Sequence, residues 1–261
     1  MKAIFISDIH LLNVEDEKTK LVLGFLNNQC AGIDHLFILG DLFDVWPGTT
    51  DYLIQNYRPV LDVFRSLVSQ GCKLHYIEGN HDFRLGEYFT ENVGVNVHSD
   101  SFEMVFGNKK VFMSHGDLGN PKDKAYRVLR YLLRRDWLHF LIKPIPSKWI
   151  FLLGKKTSQA SRGYQRQNPS TIEVVRQIYR ETAKKLFHKG YDVVVMGHTH
   201  IPDEFSMDVQ NRKCRYFNTG DWVKNFTYLE FKDGEFYTKK HPVIELRKNF
   251  GDYSDSRKTP L

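Results

Sequence analysis

The chain has 261 residues, 41% of them hydrophobic and 26% charged, which suits one large α/β core and excludes wholesale disorder. Its formal net charge of +6 favours anionic partners such as nucleic acid, acidic lipid headgroups or phosphorylated substrates, without choosing among them. Three well-separated cysteines, Cys30, Cys72 and Cys214, carry neither a zinc spacing nor a disulfide framework and read as reduced thiols of a cytoplasmic protein.

Met1-Lys2 runs straight into a short apolar segment, Ala3 to Ile6, with no signal-peptide pattern before it. Four more such segments follow: His35 to Leu39, Lys73 to Ile77, Lys110 to Met113 and Asp192 to Met196. Each is short, apolar and followed by a polar turn, which contains glycine after all but the first, the pattern of buried strands whose C-terminal ends carry loops. Glu15 to Asn28 and Asp51 to Ser69 have helical periodicity, and strand–helix alternation predicts a layered α/β domain. The last third predicts strands at Glu204–Val209, Cys214–Asn218, Phe226–Phe231 and Glu235–Lys239. Asp233-Gly234 marks a hairpin there. These four strands are expected to form a second, more antiparallel sheet packed on the first. Residues 119–168 mix aromatics, leucines and basic residues, broken by Pro144 and Pro146, and predict a helical insertion. No apolar run approaches the roughly 18 residues that would cross a membrane. The domain is expected to span residues 1–245, with a polar, mobile tail at 246–261.

Five short motifs sit at or just after strand ends: Asp8-Ile9-His10, Gly40-Asp41-Leu42-Phe43-Asp44, Gly79-Asn80-His81-Asp82, His115-Gly116-Asp117 and Gly197-His198-Thr199-His200. Residues two apart on an extended chain point the same way, so Asp8 and His10 can meet one cation, as can His198 and His200. Asp41 has two oxygens and can bridge two ions. Asn80 offers a neutral amide oxygen and His115 a further imidazole. Imidazole, carboxylate and amide without thiolate suit Mn²⁺, Fe²⁺ or Zn²⁺ better than Mg²⁺. A lone buried histidine is usually a hydrogen-bonded core residue; five ligand-bearing strand ends together are a different signal. His35, His75, His98, His139, His188 and His241 have no such context and read as structural or exposed.

This motif series resembles the calcineurin-like metallophosphoesterase superfamily, and within it the UDP-2,3-diacylglucosamine pyrophosphatase family of lipid A synthesis. The likeness covers roughly residues 1–240 and extends to Leu11, Trp46, Phe83, Leu85, Gly86, Asp123, Tyr126 and Arg130. Two features depart from that family. Many members carry arginine where this chain has His81, and Ser158 to Ser170 do not match its polar lid residues. The resemblance implies a four-layer α-β-β-α sandwich with an inserted helical lid. It implies two divalent cations, Mn²⁺ before Fe²⁺ or Zn²⁺. Asp8, His10, Asp41 and His200 would hold one, and Asp41, Asn80, His115 and His198 the other. Such a pair, about 3.5–4 Å apart, activates a water for in-line attack on phosphorus.

His81 is then the candidate general acid or phosphoryl-oxygen donor, with Asp41 as the other catalytic residue. Asp82 is adjacent, and although consecutive side chains usually diverge, a direct His81–Asp82 pair stays open. Asp44 is expected to orient a ligand, the alternative being a loop carboxylate exposed to solvent. Asn80, His81, Asp123, Arg162, Arg166 and His198 are the candidate substrate contacts. From Lys124 to Lys156, nine Lys or Arg residues face a single acid, Asp136, and aromatic and aliphatic residues interleave with them. Such a segment suits an anionic membrane surface and acyl chains, and equally an amphipathic pair of helices packed on the domain.

The expected reaction is hydrolysis of the pyrophosphate bond of UDP-2,3-diacylglucosamine at the cytoplasmic face of the inner membrane. The alternatives are another two-metal phosphodiesterase or phosphatase acting on nucleotides, phospholipid or nucleic acid, and a non-catalytic binding protein on the same scaffold.

Overall fold

A computed structural model describes residues 1–135 and 169–242. In chain order it contains β1 (Ala3–Ile6), α1 (Glu17–Gln29), β2 (His35–Ile38), α2 (Asp51–Asn56), α3 (Arg58–Ser69) and β3 (Lys73–Ile77). A π-helical turn (Tyr88–Val93) leads to β4 (Asn96–His98), β5 (Ser101–Phe106), β6 (Lys109–Ser114) and α4 (Lys124–Leu133). Then come α5 (Pro169–His188), β7 (Val193–Met196), β8 (Asp203–Val209), β9 (Arg212–Asn218), β10 (Thr227–Lys232) and β11 (Glu235–Lys240). One sheet has the order β11-β10-β1-β2-β3-β4 and the other β5-β6-β7-β9-β8.

Side-chain alternation makes the layers. On β1, Ala3 and Phe5 join Phe37, Val111, Val195 and Phe217 in a core between the sheets. Ile4 and Ile6 point the other way, onto Val22 and Phe25 of α1 and Leu61 and Phe64 of α3. The second sheet repeats the device. Val194, Met196 and Tyr216 pack under Tyr179, Ala183 and Phe187 of α5, residues spaced four apart along one helical stripe. The result is the expected α-β-β-α sandwich.

Three sequence expectations need correction. The four C-terminal strands do not form one sheet. β10 and β11 extend the first sheet, with β10 antiparallel to β1 (Phe5 opposite Leu229), whereas β8 and β9 join β6 and β7. Hairpin signals fix which neighbours pair but not which sheet edge they join. That is decided by Leu229, Phe231 and Phe236 filling the inter-sheet core. Asp51–Ser69 is two helices rather than one, because Pro59 cannot donate to the carbonyl of Gln55 and its ring crowds it. The strands β4 and β5 and the helix α5 lie where no element was expected. Of the expected insertion, the residues up to 135 are described, and they include α4; its remainder and the tail at 246–261 lie outside the described residues. No described helix is long and apolar enough to cross a membrane.

Away from the motif-bearing ends, His35, His75 and His98 form a row across β2, β3 and β4. His35 Nδ1 lies 3.3 Å from His75 Nε2, and His75 Nδ1 lies 3.3 Å from His98 Nε2. Burial, then the neighbouring His35 and His98 and finally Lys73, push the His75 imidazole down to about 4. The folded state therefore holds His75 neutral, while the unfolded chain takes up a proton near pH 6.5. Stability is full above that value and falls as pH drops toward about 4. Denaturant midpoints taken between about pH 7 and pH 5 should decline, and His75→Phe, which keeps the aromatic stack on Phe37 and Phe102, should flatten the decline. An unchanged slope in that variant would show that the row does not govern acid stability.

Candidate metal centre

The parallel strands β1, β2 and β3 of one sheet and β6, β7 and β9 of the other end at the same edge of the sandwich, and their loops interlock. Ile9 N donates to Asp41 O at 2.8 Å, Gly197 N to His115 O at 2.8 Å and Trp46 N to His81 O at 2.8 Å. Trp46, fully buried against Phe43, Tyr57 and Phe89, is the floor under these loops. The loops are held in unusual backbone states. Asp8, His10, Asp41, His198 and His200 all have φ between 52° and 70°, the left-handed region that non-glycine residues enter rarely and mainly at functional sites.

All seven expected donors converge here. Asp41 Oδ2 lies 3.8 Å from His10 Nε2, 3.6 Å from His115 Nε2 and 4.0 Å from His81 Nε2. Its other oxygen accepts the His81 backbone N–H at 2.9 Å. Asp8, His10 and His200 form one group of ligand-type atoms, and Asp8, Asp41 and His115 another. Asn80 Oδ1 sits 2.9 Å from His115 Nε2 and 3.0 Å from His198 Nδ1. The loops can approach this closely because of their glycines. A Cβ on Gly79 would lie 2.1 Å from Asp41 Oδ1, and one on Gly40 would lie 2.7 Å from His115 Nδ1.

Hydrogen bonds aim the donors. His115 Nδ1 donates to Leu39 O at 2.7 Å, and His81 Nδ1 donates to Asp44 O at 2.9 Å. A carbonyl only accepts, so in each neutral ring Nε2 presents its lone pair to the centre. The Asp44 carboxylate, expected to orient a ligand, is buried and lies 3.6 Å from His10 Nδ1. Asp82 does not pair with His81. It is buried and accepts from Asp41 N at 2.8 Å, Gly79 N at 3.0 Å, Phe43 N at 3.1 Å and the Tyr76 hydroxyl, tying two ligand loops together. Asp117 takes Tyr126 Oη and, at 2.6 Å, Arg130 Nε. Asp123 caps α4, accepting from Tyr126 N at 3.0 Å. Arg162 and Arg166 lie outside the described residues.

The donors are not balanced among themselves. Burial pushes the Asp8 carboxyl up despite His200 and His115 nearby. Burial opposes charge on His115, yet Asp41 and Asp8 prevail and raise it to about 9. Burial followed by His115 pushes His198 down to about 3. Asp8 Oδ1 is buried, accepts no hydrogen bond among the described residues, and lies 3.6 Å from His200 Nε2. An acceptor-only oxygen left so would be costly; a divalent cation between these oxygen and nitrogen donors relieves it. The residues fit a metal.

One residue beside the centre was not anticipated. Asp221, at the end of β9, places Oδ2 3.5 Å from His200 Nδ1. The signal was present, since Asn218-Thr219-Gly220-Asp221 repeats the strand–glycine–acid order of residues 38–41.

Comparison with known proteins agrees with this architecture. The calcineurin-like phosphoesterase family profile matches residues 1–202. A UDP-2,3-diacylglucosamine hydrolase of Haemophilus influenzae is 32% identical over 236 residues, covering 89% of this chain and 96% of that protein. One from Stenotrophomonas maltophilia is 31% identical, covering 90% and 96%. One from Aeromonas hydrophila is 29% identical, covering 94% and 100%.

Proposed function

This chain belongs to the calcineurin-like phosphoesterase family, and from that premise we propose that it hydrolyses the pyrophosphate bond of UDP-2,3-diacylglucosamine to UMP and 2,3-diacylglucosamine 1-phosphate. As a member it is a metal-dependent hydrolase. The observation that carries the chemistry is the convergence of seven oxygen- and nitrogen-bearing side chains, the buried carboxylates of Asp8 and Asp41 among them. The substrate rests on relatives of that name that align along nearly their whole length.

Asp8, His10, Asp41 and His200 would hold one divalent cation, and Asp41, Asn80, His115 and His198 a second, with Mn²⁺ the best match and Fe²⁺ or Zn²⁺ next. When bound, such cations polarise phosphoryl oxygens and acidify a water enough for it to ionise near neutral pH. The protein contributes geometry. Asp41 and Asn80 sit on adjoining loops that Asp82 locks together, so the donors are fixed before substrate arrives. His81 holds its ring by the Asp44 carbonyl, and as the imidazolium, with a hydrogen on each ring nitrogen, it would donate from Nε2 to a phosphoryl oxygen or to the departing phosphate. Asn80 and His198 flank the same space. Asp123, Arg162 and Arg166 are assigned to the substrate's polar groups by resemblance alone.

The lipid half of the substrate has support in α4. Val128, Leu129, Leu132 and Leu133 are exposed, with Arg127 on the same helix and Arg135 just beyond its end. An apolar, basic surface of this kind suits acyl chains and the anionic face of a membrane. Residues 1–245 would form the catalytic domain, with 119–168 as its lid.

The test is product analysis. Incubated with UDP-2,3-diacylglucosamine and Mn²⁺, the protein should release UMP and the lipid monophosphate, and chelation should stop it. Turnover of a simple aryl phosphodiester with none of the lipid nucleotide would replace this reading by a general phosphodiesterase.

A further inference from the structure

We infer that Asp221 is a positioning residue that selects the His200 tautomer able to bind a divalent cation, so that the loop after β9 governs one of the two cation sites. The inference rests on the two-cation reading above. Asp221 is buried, and its Oδ1 accepts three backbone N–H groups, from Val223 at 3.1 Å, Lys224 at 2.8 Å and Asn225 at 2.9 Å. That fixes the carboxylate and turns Oδ2 toward His200 Nδ1, 3.5 Å away. A carboxylate only accepts, so the hydrogen of a neutral His200 ring belongs on Nδ1. Nε2 then carries the lone pair, and it is Nε2 that lies 3.6 Å from Asp8 Oδ1 and 3.4 Å from His10 Nε2.

The same loop grips its neighbours. Asn225 Nδ2 donates to His200 O at 3.0 Å. Trp222 N donates to Asp8 O at 3.2 Å. Thr219 Oγ1 lies 2.6 Å from Ser7 Oγ, whose hydroxyl donates to Asp8 Oδ2. Residues 218–225 thus hold none of the seven assigned cation ligands but orient Asp8 and His200, both assigned to the first cation. The second group is oriented from elsewhere, as by the Leu39 carbonyl on His115.

Asp221→Asn separates positioning from mere structure. The three backbone N–H groups require an oxygen, so the amide oxygen must take the Oδ1 place and the NH₂ must face His200 Nδ1. Nδ1 then has to accept, and the hydrogen moves to Nε2, where it blocks a metal. The loop keeps its hydrogen bonds while the tautomer inverts. The experiment is titration of the metal-stripped full-length protein with Mn²⁺, following free Mn²⁺ by electron paramagnetic resonance, with the thermal midpoint of the stripped protein measured beside it. Wild type should take up two ions. The variant should bind one with unchanged affinity and the other about 10–100-fold more weakly, at an unchanged midpoint. Two ions bound as in wild type would overturn the inference, as would equal weakening of both with a lowered midpoint, which marks a structural role. Fewer than two ions in wild type would overturn the two-cation reading itself, a failure visible without the variant.

Discussion

Asp41→Asn should reduce turnover by at least about a thousandfold, several kcal/mol of transition-state stabilisation, because it removes the carboxylate that the proposed two-cation site shares between both ions. Its Oδ2 is within 4.0 Å of the ring nitrogens of His10, His81 and His115, and its Oδ1 anchors the His81 backbone. Asparagine is the cleaner variant. Asp41 has φ 56°, a conformation that asparagine tolerates and alanine does not, and the backbone bond from residue 41 to Asp82 survives the change. The amide keeps the shape but loses the charge and the second acceptor. Asp41→Ala should be at least as inactive and less stable. Metal content should fall in both. Retention of more than a tenth of wild-type activity would show that Asp41 does not bridge.

The centre was legible in the sequence to an unusual depth, and the reason is topological. Five of its loops follow short apolar strands that run parallel, so each motif announces itself as an apolar run broken by a small residue and then a ligand-type one. Asp41, Asn80 and His198 follow a glycine and Asp8 and His115 a serine, and all five could be found that way. Asp221 follows the same rule at the end of β9 but was hidden by the hairpin pattern around it. β9 pairs antiparallel with β8 on one side and parallel with β7 on the other. Local pattern shows the first pairing only. For the same reason β10 and β11 could be recognised as strands yet assigned to the wrong sheet. The missed β5–β6 hairpin had a weaker excuse, since Gly107-Asn108 between two apolar runs is itself a turn signal. The role of Asp82 could not be read at all. A buried carboxylate that binds the backbone of residues 41, 43 and 79 looks, in sequence, like one more ligand candidate.

His81→Ala should lower kcat by about 10²–10⁴-fold, the usual scale for a group that donates to the reacting phosphate, while both cations remain bound. The structure motivates separating the two. His81 Nδ1 is committed to the Asp44 carbonyl at 2.9 Å, and the side chain is 20% exposed, whereas those of His10 and His115 are 1% and 0% exposed. Nε2 therefore stands at the open rim of the cluster, where a phosphoryl group must enter. Yet His10, Asp44 and His81 also form a group with metal-ligand spacing, so metal analysis of the purified variant decides between donor and ligand. Loss of a cation would make His81 a ligand and end its assignment as donor. A second substitution distinguishes two kinds of donor. Arginine keeps a positive hydrogen-bond donor but, with a pKa above about 12, cannot give up a proton. If His81 stabilises charge on a phosphoryl oxygen, His81→Arg should recover much of the activity lost in His81→Ala. If it protonates the leaving phosphate, arginine should be as poor as alanine, and least so for substrates whose leaving group needs no proton.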